Sequence, residues 1–270
     1  MSSPQILIEQ LLPDGRESND TAPTITKVTL DRPKANAMGK QMIAELNDCL
    51  DQLQQEENCR CVILSSSSPK VFSAGADLKE RATMSQDETQ AFVAMLRSTM
   101  QRVADLPMPV IASIEGVAVG GGLELALAAD LRIVGQKATL GLPETSLAIL
   151  PGAGGTQRLP RLIGISKAKE LIWTGRRLDA YEALECGLVN EVVEQNTMER
   201  TMELATQIAS NGPIAIRASK EAIQQGAELE CIHQALEIEK ESYAKVIPTK
   251  DRLEGLEAFR EGRTPQYTGE

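Results

Sequence analysis

The sequence is poor in aromatic residues and contains no long apolar run. Phe, Trp and Tyr make up 3% of its 270 residues, whereas hydrophobic residues reach 42%, so a buried core must be mainly aliphatic. No apolar stretch approaches the ~18 residues of a membrane-spanning helix. The N-terminal segment has neither the basic and apolar regions of a signal peptide nor the acid-poor composition of a transit peptide. We therefore expect a soluble intracellular protein. Its location is open between the cytosol and, after removal of a targeting segment, the mitochondrial matrix.

The chain also lacks an excess of positive charge and any paired metal-binding cysteines. Its formal net charge is −10, which disfavours general binding to nucleic acid because phosphate contacts need a basic face. The five cysteines are scattered without a CxxC pair, which indicates reduced packing thiols. The single histidine, His233, falls in a helical stretch and is not expected to be catalytic.

Strand and helix patterns alternate through the first part of the chain and give way to helices alone. Residues 25–30, 61–64 and 131–134 read as strands, and 109–119 as a strand pair or a strand leading into a turn. Residues 38–53 and 88–105 carry apolar side chains at helical spacing. This alternation predicts an α/β domain over residues 1–195, followed by a helical region over 196–270. Residues 12–23 look like an enlarged polar hairpin, for which we have no functional interpretation.

A run of three glycines, Gly120 to Gly122, stands where an apolar strand meets a helix rich in alanine and leucine. Glycine leaves the backbone open to close approach, and the first amides of a helix have no partner within it. An N–H group here is suited to holding a developing oxyanion. Glu124 lies in the first turn of this otherwise apolar helix, where a carboxylate needs a partner or a proton. The alternative is a tight packing turn in which Glu124 favours the helix dipole.

Two further segments also combine glycine or other small residues with charged side chains. Glu144 follows Pro143, which fixes the backbone before it, and a glycine-rich stretch follows at 150–156. Residues 71–80 are small and expose backbone amides after the strand at 61–64. Read alone, the first segment is more typical of a surface loop with a solvated glutamate. The second is equally consistent with a loop bearing ordinary surface cations.

Taken in order, four motifs resemble the crotonase, or enoyl-CoA hydratase/isomerase, superfamily. They are LDRPKANAM (30–38), FSAGADLKE (72–80), IEGVAVGGGLELALAADLRI (114–133) and GLPETSLAILPGAGGTQRLPRLIG (141–164). The resemblance extends over roughly residues 25–265. It implies a spiral of ββα units followed by a C-terminal helical trimerisation region, assembled as trimers or dimers of trimers.

The resemblance also implies a site, residue by residue. The backbone N–H groups of Ala76 and Gly121 match the family's oxyanion hole, and Glu124 and Glu144 match the paired carboxylates of hydratases. No metal or further cofactor is implied, because coenzyme A arrives as part of the substrate. The remaining positions expected to bind the substrate or its CoA moiety are Lys34, Lys70, Ala74, Asp77, Leu78, Lys79, Gly120, Gly152 and Phe259.

These residues imply hydration of a 2-enoyl-CoA to a 3-hydroxyacyl-CoA. Glu124 is the preferred base and Glu144 the preferred acid, and the reverse assignment stays open because two close carboxylates titrate as a unit. The motifs are most similar to methylglutaconyl-CoA hydratase-like members, which act in leucine breakdown, and imply a short branched or acidic acyl group. One alternative is a Δ3,Δ2-enoyl-CoA isomerase, which the presence of Glu124 disfavours. Another is an RNA-binding protein, which the lysine-free, acidic segment 41–60 disfavours. A third is a scaffold that has lost activity.

Overall fold

Two β-sheets and eleven helices make up the part of the chain that the computed structural model describes, residues 3–12 and 23–270. The predicted polar hairpin lies, for residues 13–22, outside the described residues. Within those residues, no helix is both long and apolar enough to cross a membrane.

The larger sheet has six strands in the order β1-β2-β3-β5-β7-β10, all parallel except β1, which pairs antiparallel with β2. The smaller sheet has the order β4-β6-β8-β9, and only β9 runs antiparallel to its neighbour. The strands are β1 (Ile6–Leu11), β2 (Thr24–Leu30), β3 (Cys59–Ser66), β4 (Val71–Ser73), β5 (Val110–Ile114), β6 (Val117–Val119), β7 (Leu131–Gly135), β8 (Thr139–Gly141), β9 (Leu178–Asp179) and β10 (Glu191–Val193).

Successive strand pairs divide between the two sheets, which produces the spiral. β3, β5 and β7 lie side by side in the large sheet, and β4, β6 and β8, which follow them in the chain, belong to the small sheet. Helices then return the chain to the large sheet, as parallel strands require. The α/β class and the ββα spiral expected from the sequence are confirmed.

The helices fall close to the predicted segments. The first two predicted helices are α1 and α3, and the strand pair at 109–119 is β5 and β6. A short 3₁₀ helix, Glu144–Leu147, follows β8. The helices are α1 (Lys40–Gln55), α2 (Leu78–Arg81), α3 (Gln86–Ala104), α4 (Gly121–Ala128), α5 (Gly155–Ile163), α6 (Ile165–Thr174), α7 (Ala180–Glu185), α8 (Thr197–Ala209), α9 (Pro213–Ala227), α10 (Ile232–Val246) and α11 (Lys250–Glu261).

The helical C-terminal region begins where the composition changes, but its first helix belongs to the core. Ala205 and Ala209 of α8 pack with buried side chains of the large sheet, including Ile63 and Ile111. In contrast, α9 to α11 leave large apolar side chains in solvent, and Phe259 is 90% exposed. Such a surface is typical of a subunit interface. Assembly into trimers stays a prediction.

Candidate active site

A cavity of about 700 Å³ opens where the small sheet, α2, α3 and α4 meet the loop after β8. Its walls are mainly apolar, and only a few charged side chains reach them. This combination is typical of a small-molecule site. Seven of the predicted site residues line this cavity together with Glu144: Ala74, Ala76, Leu78, Gly120, Gly121, Glu124 and Gly152.

Glu124 projects from α4, a helix whose eight residues are all buried. The side chain is 3% exposed. Its Oε1 accepts hydrogen bonds from the N–H groups of Ala153 and Gly155, each at 2.8 Å. Burial raises the pKa of Glu124, while these two N–H groups oppose the rise because they favour the charged form. The carboxylate is therefore fixed at one oxygen, and Oε2 takes part in none of the hydrogen bonds of the described residues.

Glu144 occupies the start of the 3₁₀ helix and lacks such support. Its Oε2 is buried with no hydrogen-bond partner among the described residues. A Cβ added to Gly120 would lie 3.2 Å from Oε1 of Glu144, so the carboxyl lies against the glycine turn. Burial, with a further contribution from the negative charge of Glu124, raises the pKa of Glu144 to about 7. The two glutamates thus differ in environment: near neutral pH Glu144 holds a proton in a large part of the molecules.

The backbone places the N–H groups of Ala76 and Gly121 near each other at the mouth of the glycine turn. Met38 donates its N–H to the carbonyl of Gly75 and accepts from the N–H of Asp77, in a bridge opposite Ala76. Because peptide directions alternate along extended chain, the N–H of Ala76 faces away from Met38. Gly121 is the first residue of α4, so its N–H has no carbonyl within the helix.

Gly75 sets the distance between these two amides. Its φ is +85°, and a Cβ there would lie 2.7 Å from the nitrogen of Gly121 and 2.9 Å from the oxygen of Val119. Ser73, fully buried, fixes the same turn by donating to the carbonyl of Asn36 and accepting from the N–H of Gly75. The glycine in AGAD is therefore required both for its conformation and for its lack of a side chain.

Five of the predicted substrate-binding residues do not line this cavity. Asp77 caps α2, with Oδ1 accepting from the N–H groups of Lys79 and Glu80, and Oδ2 pairs with Arg32 at 2.5 Å. These local hydrogen bonds account for an aspartate at the last position of the AGAD motif. The other four residues, Lys34, Lys70, Lys79 and Phe259, have exposed side chains. The CoA contacts of these four residues and of Asp77 stay predictions.

Sequence reasoning did not identify the arginines of the site. Arg81, Arg97 and Arg177 all line the cavity. Arg97 donates from Nε to the carbonyl of Gly152 at 3.0 Å. Arg81 follows the segment 71–80 and has the sequence pattern of an ordinary surface cation. Arg97 and Arg177 lie in an amphipathic helix and in a polar segment, where charged residues are the rule, so the sequence offered no signal for them.

A ββα spiral whose cavity combines two glutamates, one buried and one half-buried, with two backbone amides that have no partner among the described residues defines the crotonase class of fold and site. Comparison with known proteins agrees with it: residues 20–270 match the family model described as enoyl-CoA hydratase/isomerase. The chain belongs to this enzyme family.

Relatives and solved structures support the assignment over nearly the whole chain. Mitochondrial methylglutaconyl-CoA hydratase of Homo sapiens is 49% identical over 240 residues, 87% of this chain and 70% of that protein. The mitochondrial enoyl-CoA hydratase domain-containing protein 2 of Homo sapiens is 49% identical over 251 residues, 91% of this chain and 86% of that protein. The crystal structure of an enoyl-CoA hydratase from Bacillus anthracis matches with a TM-score of 0.91 at 51% identity, covering 98% of this chain and 100% of that one.

Proposed function

We propose that this protein hydrates a 2-enoyl-CoA thioester to the 3-hydroxyacyl-CoA. The observation that carries the proposal is the unequal pair of glutamates in one cavity. Glu124 is held by two N–H groups that favour its anion. Oε2 of Glu144 is buried with no hydrogen-bond partner among the described residues, which favours the acid form of Glu144. A base and an acid on the same cavity are what the addition of water across a double bond requires.

In this mechanism the thioester oxygen accepts hydrogen bonds from the N–H groups of Ala76 and Gly121. They stabilise the enolate that forms when water attacks C3. The attacking water forms the C3–O bond and transfers a proton to Glu124. Glu144 then donates its proton to C2, which completes the addition of one water molecule. The two carboxyl groups end in exchanged protonation states, so a proton must return from Glu124 to Glu144 before the next turnover.

A product analysis tests this function directly. With crotonyl-CoA, we expect the ultraviolet absorbance of the conjugated thioester to fall and 3-hydroxybutyryl-CoA to form, with oxygen from isotopically labelled water at C3. A 3-enoyl-CoA is supplied in parallel. Its conversion to the 2-enoyl isomer, without any hydration of crotonyl-CoA, would contradict the proposal and favour the isomerase. Mass spectrometry of the products distinguishes the two reactions.

For the acyl group, we propose a short chain that carries a free carboxylate in addition to its thioester. Arg81 and Arg177 line the cavity, and neither forms an ion pair within 4 Å in the described part of the chain. A guanidinium group at an apolar wall favours an anionic ligand group. Similarity to a protein named methylglutaconyl-CoA hydratase supports the same class of substrate.

Replacing Arg81 by glutamine tests this preference. Glutaconyl-CoA and crotonyl-CoA differ by one carboxyl group. Loss of a charged hydrogen bond to that group should reduce kcat/KM for glutaconyl-CoA by about 10-fold to 100-fold more than for crotonyl-CoA. Steady-state kinetics with both thioesters measures the ratio. An equal decrease for the two substrates would assign Arg81 to the shared CoA moiety or to catalysis, and the acidic-substrate proposal would fail.

A further inference from the structure

The loop that holds Glu124 is itself held by two arginines. This loop, residues 151–155, presents the N–H groups of Ala153 and Gly155 to Oε1 of Glu124, both at 2.8 Å. The carbonyl groups of the same loop accept hydrogen bonds on its other side. Nε of Arg97 donates to the carbonyl of Gly152 at 3.0 Å, and Nη1 of Arg158 donates to the carbonyl of Ala153 at 3.3 Å.

The two guanidinium groups come from different helices. Arg97 belongs to α3, whereas Arg158 belongs to α5, the helix that begins at Gly155. Nη2 of Arg158 also donates to Oε1 of Gln101, one turn after Arg97 on α3, at 2.7 Å. The loop is thus fastened from both sides, and Arg158 ties the two helices together.

The glycines of the motif PGAGGTQR make room for this arrangement. Gly154 has a φ of +116°, which disfavours any other residue. A Cβ at Gly154 would overlap Nη1 of Arg158. Glycine here therefore admits the guanidinium group that binds the neighbouring carbonyl. This gives the arginine at the end of the motif a role that its sequence does not suggest.

We propose that Arg97 and Arg158 are positioning residues that clamp the loop 151–155 and hold Glu124 as the fixed carboxylate of the site. They act in two ways. Their hydrogen bonds orient the peptide groups whose N–H groups bind Glu124, and their positive charges favour its anion. In agreement, the charges of both arginines lower the pKa of Glu124 against the effect of burial, which raises it. The inference deepens the proposed hydration, in which Glu124 accepts the proton of water.

Few other charges face Glu124. The helices and strands packed against α4 are α3, α5, β4 and β6. α3 contributes Arg97 and α5 contributes Arg158, while neither β4 nor β6 contains a titratable residue. Across the cavity lies Glu144, whose own pKa the charge of Glu124 raises. Arg81 lowers the pKa of Glu144.

The pH profile of kcat/KM with crotonyl-CoA separates positioning from a purely structural role. Activity should fall at low pH as Glu124 gains a proton. Removing a nearby positive charge raises the pKa of that carboxyl, so Arg158→Gln and Arg97→Gln should each move the acidic limb upward by about 0.5–1 pH unit. Arg158→Lys keeps the positive charge, so its acidic limb should lie close to that of the wild type. The basic limb, which reports Glu144, should stay in place.

Two further variants serve as controls. Arg161→Gln, on the same helix α5, should leave both limbs unchanged, because the hydrogen bonds of Arg161 among the described residues stay within its own helix, to Gln157. Arg81→Gln should move the basic limb upward, because Arg81 lowers the pKa of Glu144. A lower kcat in Arg158→Gln and Arg97→Gln with an unmoved acidic limb would overturn the proposal.

A direct titration of the Glu124 carboxyl tests the role of the two arginines without any measurement of activity. If the wild type hydrates no enoyl thioester, the hydration proposal fails. The Glu124 carboxyl can still be followed by carbon-13 NMR of labelled glutamate, with Glu124→Gln assigning its resonance. The same upward shift in Arg158→Gln or Arg97→Gln is then expected, and equal titration midpoints in variant and wild type would refute the clamp. Circular dichroism checks the fold of each variant.

Discussion

Replacing Glu144 by glutamine should lower kcat for the hydration of crotonyl-CoA by about 10²–10⁴, the usual contribution of a general acid or base. Glutamine has the same shape but cannot transfer a proton to C2. The fold should not suffer, because Oε2 of Glu144 is buried without a partner and its removal breaks no hydrogen bond among the described residues. Steady-state kinetics and a thermal melt of the same preparation measure the two effects. A large loss of activity at constant Tm is the expected signature of an acid rather than of a structural residue.

Glu185→Gln is a matched control for this experiment. Glu185 is an exposed residue of α7 and lies outside the cavity, so neither kcat nor Tm should change. The wild-type pH profile provides an independent check. Since the pKa of Glu144 is raised to about 7 and its protonated form donates, activity should decline as pH rises above that value. Near-normal turnover in Glu144→Gln would rule out Glu144 as the acid.

The sequence identifies Glu124 and the glycine turn of this cavity because their signals are local. Glu124 stands out as the only charge in an apolar helix, and the glycines before it mark a helix start that is open to a ligand. The same holds for the alternation of strands and helices, which follows from the periodicity of apolar side chains. The resemblance to a family then linked Glu124 and Glu144, which lie 20 positions apart and whose proximity no local pattern indicates.

The arginines show what a local pattern leaves out. Arg97 lies 55 positions before Gly152. The hydrogen bond between them exists only because the fold brings α3 next to the loop 151–155. A cation on the polar face of an amphipathic helix has the same sequence pattern whether it faces solvent or a cavity. Asp77 illustrates the reverse. Its position in the AGAD motif does not indicate that its side chain caps α2 and pairs with Arg32, and its ligand contact stays a prediction.

Gly75→Ala should reduce kcat by about 10²–10³, the usual effect of losing one oxyanion donor. The added Cβ would lie 2.7 Å from the nitrogen of Gly121 and 2.9 Å from the oxygen of Val119. Both neighbours are backbone atoms, so no side chain can move aside, and the two amides must separate. Because they bind the thioester oxygen most strongly in the enolate, kcat should fall more than KM rises. Kinetics with crotonyl-CoA and a thermal melt provide both readouts.

Gly262→Ala separates this displacement from backbone strain. Gly262 also has a positive φ, +69°, but a Cβ there would meet nothing within 4 Å. Both variants therefore carry the left-handed conformation, at a cost of about 1–2 kcal/mol, and both should melt at a lower temperature than the wild type. Only Gly75→Ala should lose turnover at a temperature at which it is still folded. If its kcat matched that of Gly262→Ala, the spacing of Ala76 and Gly121 would not govern the reaction, because a displaced amide would have left the enolate equally well stabilised.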